Sequence, residues 1–170
     1  MAETAGHELL HKKEMVHKLV GNWTYTMFFY SHFLDEHTQG HHKTIATPED
    51  PASADIGESV YYFIYKSCVG SHVQTWERDD ERIRKIHGQN CGLVTRILYN
   101  KMTSFFVLHA IMCTVIYKFL GMAGLKQQFI FAFWGMFYLE VVNYVEHYGL
   151  RRRKDENGIF ESVDPTHSWN

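Results

Sequence analysis

Two long apolar runs, Thr103–Leu125 and Phe129–Leu150, follow each other with only a short polar break around Lys126. A helix needs about 20 apolar residues to cross the hydrocarbon core, and each run supplies that many. In lipid every backbone N–H and C=O must be satisfied within the segment, so the runs predict helices. Gly121, Gly124 and Lys126 suggest a turn between them. The expected fold is therefore all-α and integral to the membrane, a single domain over residues 1–170 with spans at about 103–125 and 129–150. The first run carries His109 and Lys118. A lysine at mid-span costs about 2.5–3.5 kcal/mol on insertion scales, so Lys118 should face protein or snorkel to the interface. His109 reads as a neutral histidine of the apolar run rather than a ligand.

The flanks predict how the runs are threaded. Arg78, Arg82, Arg84, Lys85, Arg96 and Lys101 precede the pair, Arg151, Arg152, Arg153 and Lys154 follow it, and only Lys126 lies between. Basic flanks favour the cytoplasmic side, so both outer ends are expected there. Two crossings then return the end of the second run to the side on which the chain entered. The mean hydropathy of −0.28 does not oppose this, because only about a quarter of the chain need lie in lipid.

Lys and Arg number 17 against 19 Asp and Glu, so no bulk field draws the chain to nucleic acid. Cys68, Cys91 and Cys113 are distant from one another and odd in number. Neither a disulfide framework nor a thiolate metal site is expected. Met1–Gly6 is polar and lacks the apolar stretch of a secretory signal.

Elsewhere, His7–Leu19 reads as a helix with a stop at Gly21-Asn22, followed by an aromatic segment from Trp23 to Leu34. The latter would be about 18 Å long as a helix, too short to span. The prolines of Thr47-Pro48-Glu49-Asp50-Pro51 break any helix there. Val60–Val69 fits a short helix or a strand, and Glu77–His87 an exposed helix or connector.

The candidate chemistry lies in the histidines. Glu36-His37-Thr38-Gln39-Gly40-His41-His42 holds three imidazoles. On an α-helix His37 and His41 share a face, and His42 lies about 100° further round. His7 and His11 repeat the i, i+4 spacing, and His147 closes the second apolar run. With two crossings all six can meet at one face of the membrane. They read as one site for two metals, since one ion cannot use them all. Glu140 and Asn143 share a helix face with His147 and are placed to accept a ligand's second N–H. Glu8, Glu36 and Glu146 each adjoin a histidine and could orient one from another helix. Imidazole ligands suit iron, copper, zinc or nickel alike. His7-Glu8-Leu9-Leu10-His11 also matches HExxH, the zinc-protease pattern, although that reading leaves four histidines without roles. No GxGxxG follows a strand, and no Ser or Cys nucleophile stands out.

Four stretches resemble one family in order. They are His7-Glu8-Leu9-x-His11-Lys12-Lys13; Glu36-His37-x-x-Gly40-His41-His42 with Ala46-Thr47-Pro48-Glu49-Asp50-Pro51-Ala52-Ser53; Asn143-Tyr144-x-Glu146-His147-Tyr148-Gly149-Leu150; and His167-Ser168-Trp169-Asn170. All resemble the alkane 1-monooxygenases, integral-membrane non-haem di-iron hydroxylases. The resemblance implies that His7, His11, His37, His41, His42 and His147 are iron ligands at the cytoplasmic ends of the helices. It implies two irons, O₂ as co-substrate, an alkane or alkyl chain hydroxylated at its end, and a rubredoxin-type electron donor with its reductase. It further implies that the chain is the central part of such an enzyme, with an HxxHH box expected beyond Asn170 and further membrane helices before Met1. A related di-iron desaturase or fatty-acid hydroxylase is the alternative, and a metal-binding remnant without turnover a third.

Overall fold

The computed structural model describes Gly6, Leu9, Lys12 and residues 14–169. Its elements are α1 (Met15–Met27), α2 (Phe33–Glu36), a π-helical segment (His37–His41), α3 (His42–Thr44), α4 (Val60–His87), α5 (Leu93–Tyr99), α6 (Lys101–His147) and a 3₁₀ turn (Pro165–His167). Among the described residues strand pairing is confined to one isolated bridge between Lys154 and Phe160. The all-α expectation holds. The chain divides into two compact units, residues 1–34 with 74–136, and residues 35–73 with 137–170.

In the first unit α1 runs straight through the expected stop at Gly21-Asn22. Gly21 is buried there beside Tyr25 and Thr26, and tertiary packing overrides its weak helix propensity. The chain reverses only after Met27. Phe29 takes φ 58°, an outlier for a bulky residue, and Tyr30 N–H bonds back to the Tyr25 carbonyl at 2.8 Å. Aromatic contacts hold this conformation: Phe29 stacks on Phe129 at 5.2 Å and meets the edge of His109 at 5.3 Å. His109 Nε2 lies 2.8 Å from Ser31 Oγ, a tie within the fold. Lys118 is exposed.

The two stretches at 60–69 and 77–87 form one helix of 28 residues. In the first unit its C-terminal half anchors α5 and α6. Asp80 receives a bidentate Arg96 at 2.6 and 2.7 Å, and Asp79 accepts the Lys101 N–H at 2.6 Å, capping the start of α6.

Helix α6 covers 47 residues and is long and apolar enough to cross a membrane. Its interruption is at Gly121 alone (φ 64°, ψ −164°), while Gly124 and Lys126, expected in the turn, are helical. That combination of angles is essentially restricted to glycine. The break divides the helix into residues 101–120 and 122–147, about 30 and 39 Å long. Phe119, Leu120, Phe131 and Trp134 are exposed along them, so the outer surface of α6 is apolar.

Candidate metal centre

The second unit holds the histidine segment, and its local geometry differs from the α-helix the spacing suggested. His37–His41 is π-helical, with the His42 N–H bonded to the His37 carbonyl. Such i→i+5 turns are rare and recur at functional sites. Residues five apart now face each other: His37 Nε2 and His42 Nε2 are 2.9 Å apart, whereas the His37 and His41 rings are 5.6 Å apart. His41 is thereby released toward the last helix, where its Nε2 lies 3.1 Å from His147 Nε2. The expected pairing of His37 with His41 gives way to two pairs, His37 with His42 and His41 with His147. His37, His41 and His147 are buried, and His42 is exposed. His7 and His11 lie outside the described residues. Among the described residues no three ligating groups converge on one point.

The chain directly after the histidines builds the support for His41. Ala46 turns it with φ 57° while fully buried. Successive turns through Thr47, Asp50 and Ser53 then bring Asp50 back under His41. Asp50 Oδ2 lies 2.9 Å from His41 Nδ1. Its carboxylate also accepts the Ser53 hydroxyl at 2.5 Å and the Ala52 N–H at 3.1 Å. The Ser53 oxygen in turn accepts the Ala46 N–H at 2.8 Å. The loop seats on α4 at Gly70, where a Cβ would lie 2.5 Å from the Pro51 Cβ. Glu36 and Glu140 are buried in the same unit. Burial opposes a charge on His41, but the Asp50 carboxylate outweighs it, helped by Glu36 and Glu140, and the His41 pKa is raised. Burial also works against the Asp50 anion, yet His41 and the Ser53 and Ala52 donors hold its pKa below the usual carboxylate value.

His147 is fixed from the C-terminal stretch. Its Nδ1 lies 3.2 Å from the main-chain carbonyl of His167, not against Glu140 or Asn143 as the helix face suggested. The His167 ring accepts the Asp164 N–H at 3.1 Å and sits 3.3 Å from a Glu161 oxygen, which commits it to its own turn. Trp169 bonds to the Glu146 and Tyr148 carbonyls and holds this stretch against the end of α6. Arg152 donates to the Lys43 and Ile45 carbonyls at 2.8 and 3.4 Å, closing the C-terminal end of the histidine segment. Arg151 pairs with Asp55 and donates to the Thr47 carbonyl at 3.2 Å. Two members of the basic run read as a topology signal are thus also clamps on the site.

The donor set fits a metal. Asp50 and the His167 carbonyl are acceptors, so His41 and His147 each carry a proton on Nδ1. Their Nε2 lone pairs then point at each other across 3.1 Å, which is stable only with a cation between them: a proton in the bare protein, or a metal ion. Two imidazole nitrogens each about 2.1 Å from one ion and at right angles to it would be about 3.0 Å apart. Asp50 beneath His41 is buried and held as the anion, and a buried anion requires a compensating cation. Sequence reasoning missed Asp50 and the His167 carbonyl as supports. The available signal was chemical: a ligating histidine almost always gives its second N–H to a carboxylate or carbonyl, and Asp50 sits in a proline-bounded turn shortly after His41.

Comparison with known proteins places the chain in a family. The fatty acid desaturase family model matches residues 1–170. Alkane 1-monooxygenase 1 of Alcanivorax borkumensis is 35% identical over the whole chain, and the alkane 1-monooxygenase of Ectopseudomonas oleovorans is 34% identical over the whole chain. The hydroxylase component of the xylene/toluene monooxygenase of Pseudomonas putida is 24% identical over 96% of the chain and 42% of its own length. The chain spans 41% of the length of each of the two alkane 1-monooxygenases.

Proposed function

Since the chain belongs to the fatty acid desaturase family over its whole length, we propose that it is the central part of a membrane di-iron hydroxylase that oxidises the end of an alkane or alkyl chain with O₂. The carrying observation is the facing of His41 and His147 through nitrogens whose partner atoms are already committed. In this reading His7, His11, His37, His41, His42 and His147 hold two non-haem irons. Bound iron would supply O₂ activation, the chemistry an unactivated C–H bond requires. The protein's part is to hold the imidazoles in one tautomer, through Asp50 for His41 and the His167 carbonyl for His147. The substrate contributes only apolar surface, so binding rests on burial. An apolar cavity of about 340 Å³ in the first unit, lined by Trp23, Met27, Leu108, Ile111, Met112 and Val115 among others, supports a hydrophobic ligand.

Hydroxylation inserts one oxygen atom into the C–H bond and reduces the other to water, which takes two electrons and two protons from outside. No flavin or nicotinamide motif is present in the sequence, so an external carrier is expected, and the resemblance to the alkane 1-monooxygenases implies a rubredoxin-type donor with its reductase. The proposed topology has two crossings broken at Gly121, with the basic flanks and the metal site facing the cytoplasm. The runner-up is a fatty-acid desaturase or hydroxylase, favoured by the description of the matching family model.

The test uses the native protein that contains this chain, purified from iron-supplied cells. About two irons per chain, and 1-octanol from octane with O₂ and a rubredoxin system, are the expected results. One tightly bound zinc and no iron would return the HExxH protease reading. Iron with an unsaturated acyl product would establish the desaturase alternative.

A further inference from the structure

Helix α4 is turned inside out along its first half. Phe63, Ser67 and Ser71 are at most 3% exposed, and two of these three buried positions are hydroxyl residues. Tyr61, Tyr65, Val69 and Val73, one i, i+4 stripe, are 45–76% exposed, with Tyr62 beside them. Lys66, the one Lys, Arg, Asp or Glu between residues 60 and 76, turns inward: its ammonium bonds Glu58 at 2.7 Å and the Ser53 carbonyl at 3.1 Å. A helix in water would do the reverse. The same stripe then continues through Glu77 and Glu81, both exposed. The exposed side chains thus change from apolar to charged between Val73 and Glu77.

We propose that the outer face of residues 60–73 rests against bilayer lipid at the membrane interface. Three features favour lipid over a protein partner. Tyrosine, with an apolar ring and a polar tip, is the residue of the membrane–water interface, and three stand on this face. Residues 61–73 reach only about 18 Å, which suits an interfacial helix and not a crossing one. In the same unit Tyr138 and Val145, on the membrane-length helix α6, are exposed as well. The inference rests on the membrane reading above. It adds a third lipid contact that a hydropathy scan does not find, because Lys66 and the buried serines dilute the average. It also places lipid on the helix that seats the Pro51 turn, and with it Asp50.

Spin labels test it. In the native protein, with Cys68, Cys91 and Cys113 replaced by serine, single cysteines are placed at Val69, Glu81 and Trp134, labelled, and reconstituted into phosphatidylcholine–phosphatidylglycerol nanodiscs. Collision rates with dissolved oxygen, which partitions into lipid, and with a neutral nickel chelate, which stays in water, are then measured. At Val69 the oxygen-to-nickel ratio should exceed that at Glu81 severalfold and approach that at Trp134, exposed on α6. A ratio at Val69 equal to that at Glu81 would overturn the inference by placing the face in water. A low rate with both probes would overturn it by placing protein there. Trp134 separates the two levels of the argument: nickel access at Trp134 would sink the membrane reading itself, whereas failure at Val69 alone sinks only the lipid contact.

Discussion

His41 and His147 are separated by 106 positions in the chain, yet their Nε2 atoms are 3.1 Å apart. Each imidazole is held from behind on its other nitrogen, one by a side chain and one by a backbone carbonyl. The pair should behave as a unit. His41→Ala and His147→Ala in the native protein should each lower bound iron by about the same amount, and the double variant should lose little more. Elemental analysis of protein purified in parallel checks this. Additive losses would show that the two histidines serve different ions.

Asp50→Asn keeps the size of the side chain and removes its charge. Replacing such a supporting carboxylate lowers metal affinity by about 10–100-fold. Competition for iron against a chelator measures that drop directly, and Asp50→Glu should recover part of it. Unchanged iron retention in Asp50→Asn would mean that the carboxylate shapes only the loop.

Arg152→Gln removes the charged donor to the Lys43 and Ile45 carbonyls. Hydrogen bonds from a charged group contribute about 1.5–3 kcal/mol, and partial exposure of this one argues for the low end. The variant should lose iron faster on dialysis, while Arg153→Gln should not. Equal behaviour of the two would show that the basic run acts through charge alone.

Gly121→Ala meets no steric obstacle, since no atom lies within 4 Å of the added Cβ. Its effect isolates the backbone, where φ 64° with ψ −164° costs a non-glycine residue about 1–3 kcal/mol. A lower midpoint of thermal unfolding in detergent is expected. No change would indicate that α6 runs through this position unbroken.

Asp79 gives a pH dependence outside the site. Burial opposes its charge, but Arg82 and the Lys101 N–H outweigh this and lower its pKa. A carboxyl held below its unfolded value of about 3.9 stabilises the fold above that pH and loses this contribution as pH falls through the lowered folded value. Asp79→Asn should flatten the acid limb of the stability curve below about pH 4, read by unfolding of the metal-free protein. An acid limb identical to the parent's would show that the Asp79 charge contributes nothing.

The helical class, the two apolar runs and the identity of the imidazoles were legible in the sequence because each depends on local composition. A helix that must satisfy its own backbone in lipid announces itself by length and apolarity alone. Histidine spacing likewise marked His37, His41 and His42, and the end of the second apolar run added His147. What spacing does not carry is how residues pair once the backbone departs from 3.6 residues per turn. The π-helical segment sends His42 to His37 and frees His41 for His147, and the chain just after it is held by Arg152, more than a hundred positions away. Asp50 read as part of a turn because prolines surround it. Its role beneath His41 exists only once Ala46 reverses the chain and Gly70 lets Pro51 approach. The full length of α4 was hidden for a similar reason. Its buried face is hydroxyl-rich and its exposed face aromatic, so the usual link between polarity and exposure fails until the surroundings of each face are known.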